Sequence, residues 1–394
     1  VKPLAISHYT VASALGLGLA PTLAALQAGR TGLAPRDFET AHIGTWLGVV
    51  DAVEAVTLAP ELADHDCRNN RLAELGLRAD GFGAQVRQAA ARWGAARVGV
   101  FLGTSTSGIL QTEVAYRHRD PATGALPSTL HYAQTHNTYS VARYVRAALG
   151  LQGPAYVVST ACSSSAKVFA AAQRMIEQGL VDAAVVGGVD SLCMTTLYGF
   201  KSLELVSADI CRPWDAQRNG LSLGEAAAFA LLERDATAPR GWLLGAGESS
   251  DGHHMSSPHP EGAGAAAAMR QALASAGLQP GDVDYLNLHG TGTPGNDAAE
   301  DRAVSSVFGA TLPCSSTKGY TGHTLGAAGG VEAAVALLAL EHGFMPAGLN
   351  VQQPDPALHS LYLREPREAR LRVAASNSFG FGGTNCSLLF GAAR

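Results

Sequence analysis

The chain has 394 residues, 47% hydrophobic and only 15% charged, with 45 glycines. That length exceeds one compact core, so two domains or one large double domain is expected, and the apolar, alanine- and glycine-rich composition excludes a disordered chain. A net charge of −5 argues against a nucleic-acid or membrane binder and leaves an acidic partner dependent on a local basic patch.

The chain opens on a short apolar run, Leu4 to Ile6, followed by a helical stretch, Ala20 to Ala28, that ends at Gly29. Residues 36–95 are mixed, with arginine-bearing segments at 68–78 and 87–97. Arg97 to Leu102 reads as a buried strand and Gly103 to Gly108 as a small polar turn. Residues 120–135 read as a loop and His136 to Gly150 as a helix. A strand at 156–158, a helix at 163–178 and a strand from Ala183 to Gly187 then form a strand–helix–strand unit, the mark of a parallel sheet. Residues 200–222 read as an irregular loop and Ala226 to Glu233 as a strand.

The second half alternates in the same way. Trp242 to Ala246 is a predicted strand, 251–262 a loop rich in histidine and proline, and Ala263 to Ala276 a helix closed by Gly277. Val283 to Leu288 is a strand, Ala298 to Phe308 a helix, Leu312 to Ser315 a short strand and Thr324 to His342 a long helix. Arg372 to Ala375 and Cys386 to Phe390 are strands flanking the glycine-rich Phe379 to Gly383. Two related α/β layers are expected, divided as 1–239 and 240–394. No apolar run reaches ~18 residues, so no transmembrane helix is expected. Cys67, Cys162, Cys193, Cys211, Cys314 and Cys386 form no C-x-x-C pair, which points to a reducing cytoplasm rather than a disulfide scaffold or a metal site.

Cys162 sits where a strand turns into a helix. Free N–H groups at a helix N-terminus stabilise an anion, so a thiolate nucleophile is favoured there; the bland alternative is an inert buried cysteine. Three polar, glycine-rich elements follow strands of the second half: Asn287 to Pro294, Ser315 to His323 and Ser376 to Asn385. Ligand sites of parallel α/β sheets gather at the carboxyl ends of strands, so Cys162, His289 and His323 are expected in one site. Gly290-x-Gly292-x-x-Gly295 spells a dinucleotide fingerprint, but Pro294 interrupts it and no acidic residue ends a strand about 20 residues later. His253 and His254 are sequence neighbours that would point apart, which disfavours a metal site.

T-A-C-S-S-S at Cys162, H-G-T-G-T-P at His289, S-T-K-G-Y-T-G-H at His323 and N-S-F-G-F-G-G-T-N at Phe381 stand in that order. Together they resemble the β-ketoacyl–acyl carrier protein synthases, specifically the two-histidine elongating branch that includes polyketide ketosynthases. R-P-W-D at 212–215 and D-x-x-H-M at 251–255 extend the likeness over nearly the whole chain. The resemblance implies a thiolase fold: two similar α/β halves in a five-layered α-β-α-β-α sandwich, normally dimeric.

It also implies roles. Cys162 would accept the acyl group, while His289 and His323 would drive malonyl decarboxylation and condensation. Lys318 would order and tune the histidines, Glu332 would neutralise Lys318, and Phe381 would gate the glycine-rich loop. The N–H groups of Cys162 and Phe381 would form an oxyanion hole. Thr291, Thr293, Thr106 and Phe379 would contact substrate or the pantetheine arm. Arg68, Arg71 and Arg212 fall in segments that resemble the docking region for an acidic carrier.

No metal and no cofactor is implied beyond the phosphopantetheine that carries the substrates. The implied partners are acyl carrier protein and either a second copy or a homologous subunit. Departures include the opening I-S-H-Y-T-V-A-S-A-L-G, alanines for glycines at 224–228, and Thr104, Ser105 and Thr106 where fatty-acid elongators more often carry a bulky aliphatic. These point to a specialised acyl chain, such as a polyene or an aromatic-capped chain. The alternatives are a chain-length partner subunit, which usually loses the nucleophile, and a non-decarboxylating acyltransferase of the same fold.

Overall fold

The computed structural model describes residues 2–393. Five strands frame the first half: β1 (Leu4–Ser13), β2 (Val98–Gly103), β3 (Ala155–Val158), β4 (Ala183–Asp190) and β5 (Ala226–Glu233). Five frame the second: β6 (Gly241–Ser250), β7 (Tyr285–Asn287), β8 (Pro313–Ser315), β9 (Val373–Gly380) and β10 (Thr384–Ala392). Within each set the spatial order is the same: first strand, fifth, fourth, second, third. The directions match as well. The fifth strand is antiparallel to both neighbours and the remaining pairs are parallel. The chain is a topological duplication, although its sequence shows no short repeat. Leu4–Ile6 of β1 pairs antiparallel with 241–243 of β6, joining the two sets edge to edge.

The helices are α1 (Leu19–Gln27), α2 (Arg68–Arg78), α3 (Phe82–Trp93), α4 (Ile109–Arg117), α5 (Ser140–Ala148) and α6 (Ser164–Glu177). The rest are α7 (Met194–Ser202), α8 (Ala263–Ala276), α9 (Pro294–Phe308), α10 (Lys318–Thr321) and α11 (Ala328–His342). In each half the third strand leads into a helix, α6 after β3 and α11 after β8 by way of α10, and these two form the central layer. Every residue from Ala328 to Leu340 of α11 is buried. A helix apolar on all sides needs such a sandwiched position. By length and composition Leu325–His342 could cross a membrane, with mean hydropathy 1.3, but 89% of it is buried in the protein core. Helices α2, α3 and α5 cover the outer face of the first sheet, and α8 and α9 that of the second. The result is the five-layered α-β-α-β-α sandwich of the thiolase fold.

Strands β2, β4 and β5 are buried on both faces. That is why they read as continuous apolar runs rather than alternating ones. Other expectations are corrected. Strand β1 runs on to Ser13, because its polar side chains find partners: Ser7 donates to the Leu231 carbonyl (3.4 Å) and Thr10 to Asp80 (2.7 Å). Helix α5 starts at Ser140 rather than His136, since Asn137 Oδ1 accepts the Tyr139 N–H (2.9 Å) and makes a turn first. Helix α9 starts earlier than expected, with Pro294 in its first turn, where a missing N–H costs nothing. The long second-half helix opens as a 3-10 turn, Leu325–Ala327. Phe379 and Gly380 belong to β9, so only Phe381–Gly383 forms the turn into β10. Helices α2, α3 and α4 lie in stretches that carried no assignment, and α7 runs to Ser202, into the stretch 200–222 that reads as a loop.

Candidate active site

Strand β3 ends at Val158 and α6 begins at Ser164. Between them Ala161 takes φ +50°. A side-chain-bearing residue there is strained, and such strain collects at functional turns. The turn is tied by Ser163 Oγ to the Thr160 carbonyl (2.9 Å) and to Thr384 Oγ1 (3.0 Å), and by Ser164 Oγ to the Ala161 carbonyl (2.5 Å). It presents Cys162 at the floor of a cleft shared with His289, His323, Thr291, Thr293 and Phe381.

His323 follows α10. Its N–H donates to the Ser222 carbonyl (2.7 Å) and its carbonyl accepts the Gly224 N–H (3.0 Å). A residue of the second half is thus held by the backbone of the first. Its Nε2 lies 2.9 Å from Cys162 Sγ. His289 follows β7, and its ring centroid stands 5.3 Å from that of His323, with the planes at 85°. Lys318, at the start of α10, donates to His289 Nδ1 (3.4 Å) and to the His289 carbonyl, and pairs with Glu332 of α11. Both charged side chains are buried, and Ser378 Oγ adds a bond to Glu332 at 3.4 Å. An ammonium can only donate, so His289 Nδ1 accepts and Nε2 carries the proton.

Burial, reinforced by the Lys318 charge, holds both histidines well below 6.5. They are therefore neutral imidazoles at neutral pH. Burial raises Glu332 to about 7, with Lys318 opposing. The expected thiolate is corrected. Burial pushes the Cys162 thiol up to about 12, against the Lys318 charge and the Phe381 N–H. The N–H groups of Ser163 and Ser164 are turned onto the carbonyls of Thr160 (3.4 Å) and Ala161 (3.2 Å), so they are not free to favour an anion. Cys162 rests as a thiol, with His323 Nε2 placed where it can accept the Sγ proton.

Phe381 packs its ring 5.5 Å from Phe200, and Phe379 packs 5.8 Å from His289. The hydroxyls of Thr291 and Thr293 are 2.9 Å apart. Two sequence expectations fail. Thr106 is buried away from the cleft, with its N–H and hydroxyl both on Asp190 at 3.0 Å. Arg68 is buried against Glu225 and Glu54, so its charge is unavailable to an acidic partner. Arg71 and Arg212 are each held by a neighbouring carboxylate, Asp66 at 2.5 Å and Asp209 at 2.6 Å.

Gly290 and Gly292 have φ +38° and +79°. A Cβ on Gly290 would lie 2.4 Å from Ser316 Cβ, so this glycine serves close packing of the two histidine-bearing loops. His254 Nδ1 accepts the N–H groups of Ser256 and Ser257 at 3.2 Å, a local turn on an exposed loop. The thiol and a ring nitrogen of each of His289 and His323 lie within 4.8 Å of one another, close enough to touch one soft ion. The Lys318 ammonium behind His289 opposes added positive charge there.

Two carboxylates escaped the sequence reading. Glu300 accepts the N–H groups of His289 (2.8 Å) and Gly290 (2.7 Å). Asp190 gathers the 104–106 turn. Glu300 carries no spacing signal, whereas Asp190 does: it is the one acid closing an otherwise apolar strand.

The family described as "Beta-ketoacyl synthase, N-terminal domain" matches residues 82–238, and its C-terminal counterpart matches 240–352. Nodulation protein E of Rhizobium meliloti is 38% identical over 308 residues, covering 75% of this chain and 76% of that protein. The mitochondrial 3-oxoacyl-[acyl-carrier-protein] synthase of Arabidopsis thaliana is 42% identical over 262 residues, 61% of this chain; the match spans only 57% of that protein's length. Among solved structures, a chain of the complex of the ketosynthase ApeO with its chain length factor ApeC from Xenorhabdus doucetiae superposes with a TM-score of 0.91 at 39% identity, covering 100% of this chain and 98% of that one. A cysteine at a strained strand–helix turn, two neutral histidines over it and family matches along most of the sequence agree: the chain belongs to the β-ketoacyl synthase family.

Proposed function

We propose that the chain is a β-ketoacyl–acyl carrier protein synthase that performs a decarboxylating Claisen condensation. The observation that carries this reading is the 2.9 Å contact between Cys162 Sγ and His323 Nε2, with His289 on the same cleft. In the first half-reaction His323 takes the Sγ proton and the thiolate attacks an acyl thioester carbonyl. The tetrahedral oxygen is met by the N–H groups of Cys162 and Phe381. The carrier thiol leaves with the proton held on His323.

In the second half-reaction the malonyl thioester carbonyl accepts the Nε2–H bond of His289, and that of His323 once its remaining ring proton has moved from Nδ1 to Nε2 by exchange with water. Loss of CO2 puts negative charge on that oxygen, where donors of this kind are worth ~3–4 kcal/mol each. The enolate carbon attacks the acyl carbonyl, a C–C bond forms and the C–S bond to Cys162 breaks. The thiolate then regains a proton from water. Lys318, neutralised by Glu332, fixes the His289 tautomer for this role, and Phe381 gates the cleft. The threonine pair Thr291 and Thr293, with Phe379, holds the pantetheine arm. The substrates arrive on phosphopantetheine and no separate cofactor takes part.

The partners are acyl carrier protein and a second ketosynthase-like chain. The ApeO complex and the ishigamide ketosynthase/chain length factor structure (TM-score 0.89, 28% identity) support a heterodimer. Cys162, His289 and His323 support the catalytic role in it, since a chain-length partner needs none of them. Residues 1–239 and 240–394 act as the nucleophile half and the histidine half. Six buried free thiols support a reducing, cytoplasmic setting.

The test is intact mass of the protein and of Cys162→Ala after incubation with acyl carriers of different chain type, followed by malonyl carrier. The expected result is a Cys162-dependent mass gain that disappears as a β-ketoacyl carrier forms. No acylation with any chain, alone or with a co-expressed partner, would overturn the reading.

A further inference from the structure

Asp190 is fully buried, and among the described residues no basic side chain pairs with it. Its charge is met by small donors instead. Oδ1 accepts Thr104 Oγ1 (2.5 Å), Ser105 N (2.8 Å), and Thr106 N and Oγ1 (both 3.0 Å). Oδ2 accepts Ser105 Oγ (2.5 Å), Ser105 N (3.0 Å) and Gly326 N (2.5 Å). A carboxylate bonded this way is a strong, charge-assisted anchor.

The Gly326 bond is the informative one. Gly326 lies in the Leu325–Ala327 turn directly after His323 and Thr324, and Leu325 itself has φ +54°. A Cβ on Gly326 would come within 2.7 Å of both Asp190 Oδ2 and Ser105 N, so the turn has no slack against Asp190. Meanwhile no group among the described residues hydrogen-bonds the buried His323 Nδ1. A catalytic imidazole is ordinarily oriented by a group on the nitrogen that faces away from the chemistry. Here no protein side chain does so, and the backbone on either side holds the residue that carries the ring. One side is held by Ser222 and Gly224. Asp190 holds the other.

We propose that Asp190 is a positioning residue for His323, pinning the turn after it to the end of the nucleophile-bearing sheet and so doing the work that a partner on Nδ1 would do. The inference rests on the condensing-enzyme reading above. It also carries an electrostatic signature. The charged groups acting on Cys162 are Lys318, which favours the thiolate, and Asp190 and Glu332, which oppose it; His289 and His323 are neutral. Asparagine at 190 would turn an NH2 group towards N–H donors and loosen the turn. It would also remove one of the charges that keep the thiol protonated.

Asp190→Asn is therefore expected to combine opposite effects. With acyl and malonyl carriers, kcat should fall about tenfold or more at unchanged KM for malonyl carrier, the cost of a slightly misplaced base. The pH midpoint for alkylation of Cys162 by iodoacetamide should move down. A more acidic nucleophile in a slower enzyme is not the outcome of a purely structural defect. An unchanged kcat, a KM rise that accounts for the loss, or an unmoved alkylation midpoint would each overturn the proposal. If the wild type condenses nothing, the condensing reading fails, while the alkylation comparison still tests Asp190. Should Asp190→Asn not fold, Ser105→Ala removes one hydroxyl from Oδ2 and keeps the charge; a fall in kcat of about threefold or more at unchanged KM supports the proposal, and no change overturns it.

Discussion

Glu300 lies on α9 but acts on the segment that carries His289. Besides the two N–H groups it accepts, Asn377 Nδ2 donates to it at 3.2 Å. Burial outweighs these bonds and raises the acid from its ordinary 4.5 to about 7. Between those two pH values the native protein holds a proton that the unfolded chain has lost, so this group's contribution to stability falls as pH rises. Glu332 has the same sign. The two buried histidines have the opposite one: below 6.5 the unfolded chain binds protons that the native site refuses, and stability falls as pH falls. Glu300→Gln removes one glutamate term alone. Its melting temperature should lie furthest below wild type near pH 5, and the gap should narrow by about pH 8. A gap that stays constant, measured by calorimetry, would mean that Glu300 is ionised throughout. Cys162 and His289 were legible in the sequence because each follows the end of a strand, next to small residues or glycine; His323, expected at a strand end, instead follows the short helix α10, and its motif rather than a strand end marked it. Glu300 was not legible, because a carboxylate that acts through the backbone N–H groups of another segment leaves no spacing; Asp190 left only the weak mark of an acid closing an apolar strand. The pull of burial on Cys162 was also hidden, since it depends on what the other half lays over the thiol.

The same dependence appears at the level of the elements. Helices α6 and α11 touch where Gly329 faces Ala166, and a Cβ on Gly329 would lie 2.6 Å from the Ala166 N and 2.7 Å from its Cβ. Backbone cannot yield as a flexible side chain can, so Gly329→Ala must push the helices apart, at a cost of about 1–3 kcal/mol. The displaced end of α6 carries Cys162. Thermal denaturation and the rate of Cys162 acylation should therefore decline together; an unchanged melting temperature would show that the central layer has room to spare. Strands β2, β4 and β5 were readable as apolar runs because burial on both faces removes the polar alternation. Helix α2 was not, because it buries polar residues: Asn70 Nδ2 reaches the His65 carbonyl (2.8 Å) and Ser140 Oγ (3.0 Å), and Asn69 Oδ1 accepts the Ser191 N–H (3.0 Å). Arg68, beside them, closes on Glu225 for the same reason. Its segment looks like an exposed basic stripe until those partners are known.

Across the whole molecule, the duplicated strand order suggests two units, yet the contacts bind them into one. Each half completes its own run of at least five paired strands, so strand pairing alone would let residues 240–394 fold apart. Packing forbids it. Detached, that fragment would open the seam where Gly329 meets Ala166 and Gly330 meets Ala228, and with it the shared apolar core to which Val331, Val335 and Leu338, at most 2% exposed, belong. Each such side chain is worth about 1.5–3 kcal/mol when buried. It would also lose the Leu223–His323 bridge, and with it the support for His323. Residues 240–394 expressed alone should accordingly show no cooperative urea transition by circular dichroism. A cooperative transition would mean that the second half holds its own core and that the halves are true domains. Its absence would make the central helix pair the feature that turns two α/β units into one site, with Cys162 drawn from one half and His323 from the other.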